Sequence, residues 1–113
     1  MNDLPSGTNV VDGQQVGATD MIAALTAAPF VFQDGATQSF TADGRTTYVE
    51  RGVPSDGEWS VAAEGTFASF WPPTYRATYT ARWTVENEVP VGVSFTDTRS
   101  GVRYDGRYQS PAS

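Results

Sequence analysis

Short runs of alternating apolar and polar residues, divided by pairs that end in glycine, occupy the sequence from residue 29 onward. The pairs are Asp34-Gly35, Asp43-Gly44, Asp56-Gly57, Glu64-Gly65 and Ser100-Gly101. An Asp-Gly pair is typical of the tight hairpin turn, because both central residues of that turn take positive φ. The runs are 29–33, 37–42, 45–50, 58–63, 66–71, 75–86, 91–97 and 102–109. Connections of two to seven residues are too short for parallel crossovers, so the sequence predicts an antiparallel meander of an all-β fold.

The longest run, 75–86, alternates over its whole length and therefore assigns an inner and an outer face. The apolar face carries Tyr75, Ala77, Tyr79, Ala81, Trp83 and Val85. Twelve extended residues span about 40 Å, a length typical of a strongly curved sheet. Closing such a sheet removes its unpaired edges. We therefore expect a single antiparallel barrel of about seven or eight short strands.

The residues before the first run have a different composition, with no aromatic side chain. We interpret 1–19 as a flexible N-terminal arm, 20–28 as a short helix, 29–109 as the barrel and 110–113 as a C-terminal tail. Asp20 suits the start of the helix, and Pro29 ends it. So short a helix is marginal alone, so its apolar face is expected to dock on the barrel and plug one end.

Composition excludes several classes of function. The 113 residues carry seven arginines and thirteen acidic residues, a net charge of −6, with neither histidine nor cysteine. This charge argues against nucleic acid or an anionic membrane as a partner. Without the usual soft ligands no metal site and no cofactor are expected. No apolar run is long enough to span a membrane and no signal sequence opens the chain, which favours the cytoplasm.

The inner face of 75–86 alternates large with small side chains, and this has two interpretations. Ala77 and Ala81 either interdigitate with the rings in a filled core, or leave a hollow that suits a small apolar or aromatic ligand. In the second case Arg103 or Arg107 is placed to orient a polar group of the ligand. The aromatic side chains predicted to form the walls are Trp59, Trp71, Tyr75, Tyr79, Trp83 and Tyr104.

The triplet Gly57-Glu58-Trp59 resembles the short Gly-x-Trp signature of the calycin group, the lipocalins and their relatives. The resemblance extends over residues 29–109 and implies a ligand-binding β-barrel. It also implies that Trp59 packs across the closed end, with an arginine from the last strand, Arg103 or Arg107, lying over its ring.

Two further functions remain open from the sequence. A lyase or isomerase would pair Tyr79 with a carboxylate, Glu50 or Asp97, whose pKa burial would raise. An interaction domain would form a homodimer through residues 69–76 or through a sheet edge, because the two prolines after Trp71 break the strand and leave aromatic rings around a stiff loop. Whether the protein is an enzyme is left open.

Overall fold

Strands and tight turns alternate along the chain, and each strand pairs with the next one. The structure is a computed structural model that describes residues 10–109. Strand β1 pairs with β8, so the eight antiparallel strands form a closed barrel, as predicted. The strands are β1 Phe30–Val31, β2 Thr37–Phe40, β3 Arg45–Glu50, β4 Val53–Val61, β5 Phe67–Trp71, β6 Tyr75–Glu86, β7 Val89–Asp97 and β8 Arg103–Tyr108.

One end of the barrel is closed by a short helix, which we call the helix end. A 3-10 turn at Ala18–Asp20 leads into α1 at Met21–Thr26, which buries Met21, Ala24 and Leu25 in the barrel core. The Tyr108 hydroxyl, at the last residue of β8, donates a 2.6 Å hydrogen bond to the Ala24 carbonyl. No helix within residues 10–109 is long and apolar enough to cross a bilayer.

The segment before the helix lies along β6, where a flexible arm was predicted. Strand β5 pairs with β6 only as far as Tyr79, which leaves one edge of the second half of β6 unpaired. The Val16 amide donates to the Ala81 carbonyl and the Gly13 amide to the Trp83 carbonyl, both at 2.8 Å, and Val16 is fully buried. Residues 10–19 are thus attached to the barrel over part of their length. Residues 1–9 and the predicted tail at 110–113 lie outside the described residues.

The opposite end of the barrel, which we call the open end, carries the loops 32–36, 51–52, 72–74 and 98–102. One loop here corrects the sequence analysis. The turn before β4 is formed by Arg51 and Gly52, both at positive φ, whereas Asp56-Gly57 lies inside β4. A Cβ on Gly57 would lie 2.6 Å from Trp71 Cε3, so glycine is needed for the close approach of the Trp71 ring rather than for a turn.

Candidate functional site

A cavity of about 420 Å³ opens at the open end of the barrel. Its floor is formed by Phe40, Phe67 and Phe95, whose ring centroids lie 5.5–6.4 Å apart. All three side chains point inward from their strands and are buried. The volume falls within the range of roughly 300–1,000 Å³ that is typical of small-molecule sites.

Below this floor the barrel is filled. Phe30 packs edge-on against Phe40 and Phe95 at 5.8 and 5.7 Å, and Trp83, Met21 and other fully buried side chains occupy the helix end. The barrel is therefore filled at the helix end and hollow at the open end, and neither Ala77 nor Ala81 lines the hollow. The floor rings separate the two halves.

Four larger aromatic side chains form the wall of the cavity, in two pairs. Tyr48 and Trp71 meet at nearly right angles with ring centroids 6.4 Å apart, and Tyr79 and Tyr104 do so at 6.3 Å. In such a T-shaped pair, one ring points its edge at the face of the other ring. Neither face of the first ring is therefore covered by its partner. Tyr79 also packs against Phe67, with ring centroids 5.7 Å apart, so part of its ring surface is covered from the floor.

Ser69 is the polar residue set deepest in this aromatic wall. It lies on β5 between Phe67 and Trp71, is only 5% exposed, and contributes to the lining of the cavity. Its Oγ has no hydrogen-bond partner within residues 10–109, although the Tyr79 hydroxyl lies nearby. A buried hydroxyl without a partner costs roughly 1–3 kcal/mol.

A second polar contact in the wall is fully paired. The Gln38 amide nitrogen donates to Thr46 Oγ1 at 2.9 Å, and Thr46 Oγ1 donates to the Ser39 carbonyl at 2.8 Å. Gln38 lines the cavity, and Thr46 is buried behind it. This chain of hydrogen bonds fixes one side of the wall and leaves Ser69 as the group with unused bonding capacity.

The tyrosines of the wall hold their protons tightly. Burial raises the pKa of Tyr79 to about 12; Tyr75 adds to the effect, the nearby Ser69 hydroxyl opposes it, and Tyr104 and Asp97 make smaller contributions. Burial also raises the pKa of Tyr48, and the negative charges of Asp34 and Glu50 add to the effect. At neutral pH both phenols are therefore neutral.

Charged groups stand only at the mouth of the cavity. Arg103 Nε and Asp105 Oδ1 form an ion pair at 2.7 Å on the first part of β8, with both side chains largely in solvent. Asp34 Oδ1 accepts a 3.0 Å hydrogen bond from the Ala36 amide and so shapes the loop between β1 and β2. The site thus combines an aromatic interior with a charged mouth.

The Gly-x-Trp triplet lies in the filled half of the barrel. Trp59 packs edge-on against Phe40 at 5.9 Å, and its Nε1 donates to the Thr41 carbonyl at 3.0 Å.

No family model, no curated protein and no solved structure matches this chain. Its function has to be argued from the site itself.

The arginines expected over Trp59 lie elsewhere. Arg103 is paired with Asp105 at the mouth, and Arg107 forms two hydrogen bonds with Glu86 on the outer surface, at 2.7 and 3.1 Å. The one cation–π contact in the described part of the chain places Arg76 over Phe70. Because outward positions of β8 alternate with inward ones, both guanidinium groups point away from the Trp59 ring.

The predicted wall residues divide into those that line the cavity and those that do not. Trp71, Tyr79, Tyr104 and Arg103 line it, the last two from its partly exposed mouth. Trp59, Ala77, Ala81 and Trp83 are buried outside the lining, Tyr75 is 57% exposed beyond the rim, and Arg107 faces solvent. Alternation had given the correct face for the buried members but not their height along the barrel.

The predicted catalytic carboxylates also lie outside the lining. Asp97 Oδ1 accepts hydrogen bonds from the Arg99 and Ser100 amides at 2.7 and 3.0 Å, which lower the pKa of this carboxyl. The lyase hypothesis needs a raised pKa, so this residue is better explained as the cap of the turn between β7 and β8. Glu50 is exposed at the end of β3, close enough to Tyr48 to affect its pKa.

Sequence reasoning missed several residues of the site, and the signal for some of them was present. Ser69 lies midway between the inward Phe67 and Trp71, and Gln38 lies two residues before the inward Phe40. Period-2 alternation alone places both on the inner face. They were passed over because they are polar, although a polar residue at an inward position is the more informative observation.

Proposed function

We propose that the protein binds a small, flat molecule in the cavity at the open end, without changing it chemically. The apolar body of the ligand would lie on the floor formed by Phe40, Phe67 and Phe95, between the aromatic walls. One hydrogen-bonding group of the ligand would reach Ser69 Oγ. A predominantly apolar cavity with a few converging polar groups is the usual form of such a site.

The observation that carries this proposal is the unpaired Ser69 hydroxyl in the cavity wall. An alanine at the same position would avoid the desolvation cost of the hydroxyl. A ligand that donates to Ser69 Oγ, or accepts from it, removes this cost on binding. The hydroxyl then contributes both affinity and orientation.

Binding without chemistry agrees with the titratable groups of the site. Tyr79 has a pKa of about 12, so it neither donates nor accepts a proton readily near neutrality. The chain has no histidine and no cysteine. Of the two candidate carboxylates, Asp97 is held in a turn by backbone amides.

The class proposed here is a calycin-like ligand-binding barrel. Gly57 and Trp59 support it, since the glycine admits the Trp71 ring to the wall and the tryptophan packs beneath the floor. The barrel is closed by a helix at one end and open to loops at the other. This arrangement gives a ligand a single route in.

The test is a calorimetric titration with para-ethylphenol, whose ring fits the aromatic wall and whose hydroxyl can pair with Ser69. Ser69→Leu fills the cavity from its wall and is expected to abolish the binding heat. Ser39→Leu makes the same change on the exposed, outward side of β2 and is expected to leave it unchanged. Equal binding by the wild type and Ser69→Leu, or no binding by either, would reject this site.

A further inference from the structure

The charges around the cavity mouth are unbalanced. Asp34 and Asp105 line the mouth against the single guanidinium of Arg103. Arg103 is already paired with Asp105 at 2.7 Å. The ion pairs of residues 10–109 are this one and the pair of Arg107 with Glu86, and neither includes Asp34. Among the residues that line the cavity, the uncompensated charge is therefore negative, while Arg51 and Arg99 lie on neighbouring loops of the open end.

The potential inside the cavity has the same sign. Burial is the main cause of the raised pKa of Tyr48 and of Tyr79; the charges of Asp34 and Glu50 raise the pKa of Tyr48 further, and Asp97 makes the smallest contribution to that of Tyr79. A potential that opposes the ionisation of a phenol stabilises a cation placed at the same point.

The aromatic wall adds a second attraction for a cation. The faces of Trp71, Tyr48, Tyr79 and Tyr104 carry the negative part of the ring quadrupole. The edge-on geometry of both pairs leaves ring faces uncovered by their partners. Aromatic side chains grouped in this way are the usual means of binding an alkylated ammonium group, because they attract the charge without demanding hydrogen bonds from it.

We propose that the cavity selects cations, and that its ligand is an aromatic amine or quaternary ammonium compound with its cationic group between Tyr48, Trp71 and Asp34. The apolar part of the ligand then points to the phenylalanine floor and past the Ser69 hydroxyl. This inference rests on the proposed function and adds the charge of the ligand to it. An anionic ligand would be repelled by the Asp34 carboxylate at the mouth and by the negative faces of the aromatic rings inside the cavity.

The experiment compares three probes of similar size in calorimetric titrations at neutral pH and low salt. They are benzyltrimethylammonium, its uncharged carbon isostere neopentylbenzene, and the anion phenylacetate. We expect benzyltrimethylammonium to bind roughly three- to tenfold more tightly than the isostere, with phenylacetate the weakest. Added salt should reduce the advantage of the cation and leave the isostere unaffected.

Asp34→Asn identifies the source of the selectivity. Asparagine keeps the Oδ1 acceptor for the Ala36 amide, so the loop is retained and only the charge is removed. Asp43→Asn is the matched control, since Asp43 Oδ1 accepts from the Arg45 amide in the loop between β2 and β3 at the helix end. Asp34→Asn should weaken benzyltrimethylammonium about threefold or more while neopentylbenzene is unchanged, and Asp43→Asn should affect neither.

The outcomes separate this inference from the proposed function. If neopentylbenzene or phenylacetate binds as tightly as the cation, or if Asp34→Asn leaves the preference intact, cation selectivity is refuted while the cavity remains a binding site. If none of the three probes binds while para-ethylphenol does, only the inference fails. If para-ethylphenol does not bind either, or if Ser69→Leu binds the cation as well as the wild type does, the proposed function fails and the inference fails with it.

Discussion

Replacing Ser69 by alanine is expected to stabilise the fold and to weaken ligand binding. The side chain is 5% exposed, and its hydroxyl has no partner among the described residues. Alanine removes a desolvation cost of roughly 1–3 kcal/mol and loses only the packing contacts of one oxygen. We expect a net gain of about 1 kcal/mol in the free energy of unfolding, which is roughly 4–8 °C in Tm for a domain of this size.

Thr46→Val is the matched control, because it also deletes one buried hydroxyl from the same wall. Thr46 is 2% exposed, and its Oγ1 both donates to the Ser39 carbonyl and accepts from Gln38. Valine keeps the branched shape but leaves both partners without Oγ1. This variant is expected to lose roughly 1–3 kcal/mol of stability, the opposite sign to Ser69→Ala.

Urea unfolding followed by circular dichroism measures the stabilities of both variants, with an unchanged m-value showing that the same surface is exposed. Calorimetry with para-ethylphenol measures the affinity. Ser69→Ala should bind about fivefold more weakly, because one hydrogen bond worth about 1 kcal/mol is lost. If Ser69→Ala is destabilised as much as Thr46→Val, the hydroxyl is paired in solution and the reasoning is refuted.

Three other predictions concern the cavity and the helix that closes the barrel. Gly57→Ala should lose about 1–3 kcal/mol of stability in urea unfolding, since its Cβ would lie 2.6 Å from the Trp71 ring; wild-type stability would contradict the close approach. Because the pKa of Tyr79 is raised, the contribution of this phenol to stability should be complete below pH 10 and be lost as the pH rises through about 12. A spectrophotometric titration compared with that of Tyr79→Phe measures this pKa. A value near 10 for Tyr79 would contradict the prediction. Tyr108→Phe removes the hydrogen bond to the Ala24 carbonyl and should cost about 1 kcal/mol, with faster amide exchange in α1; unaltered protection of that helix would argue against the contact.

Local patterns predicted most of the fold. The bounds of β3 and β6 agree with the runs 45–50 and 75–86, and the closed antiparallel barrel follows from short connections between alternating runs. These features depend on residues close in the chain, namely the side-chain period and the turn residues. They can therefore be inferred without knowing which distant residues meet.

The errors arose where distant residues decide the local structure. Asp56-Gly57 has the composition of a turn, but glycine is needed there because the Trp71 ring of the neighbouring strand approaches its backbone closely. The true turn uses Arg51 and Gly52, a pair that local composition does not favour over Asp-Gly. The docking of residues 10–16 likewise depends on where β5 ends along β6.

The site was predicted in part, for a related reason. Alternation placed Tyr79, Ala81 and Trp83 on one face, and the structure agrees that all three point inward. It gives no information on the position of each residue along the barrel axis, which depends on the stagger between strands. Ala81 and Trp83 belong to the half that the helix and the docked segment fill, so the small side chain leaves no hollow there.

The division of the barrel explains how one small core supports both stability and a cavity. At the helix end Phe30, Met21, Leu25 and Trp83 are completely or almost completely buried, and they form one continuous core cluster with the floor rings. The open end has fewer packing contacts, because the side chains that line the cavity have no packing partners on that side. The unpaired Ser69 hydroxyl adds a further cost in stability. The phenylalanine floor belongs to both halves, because each of its rings packs on the core below and faces the cavity above. Substitutions in the floor should therefore change stability and affinity together, whereas Ser69 on the wall changes them in opposite directions.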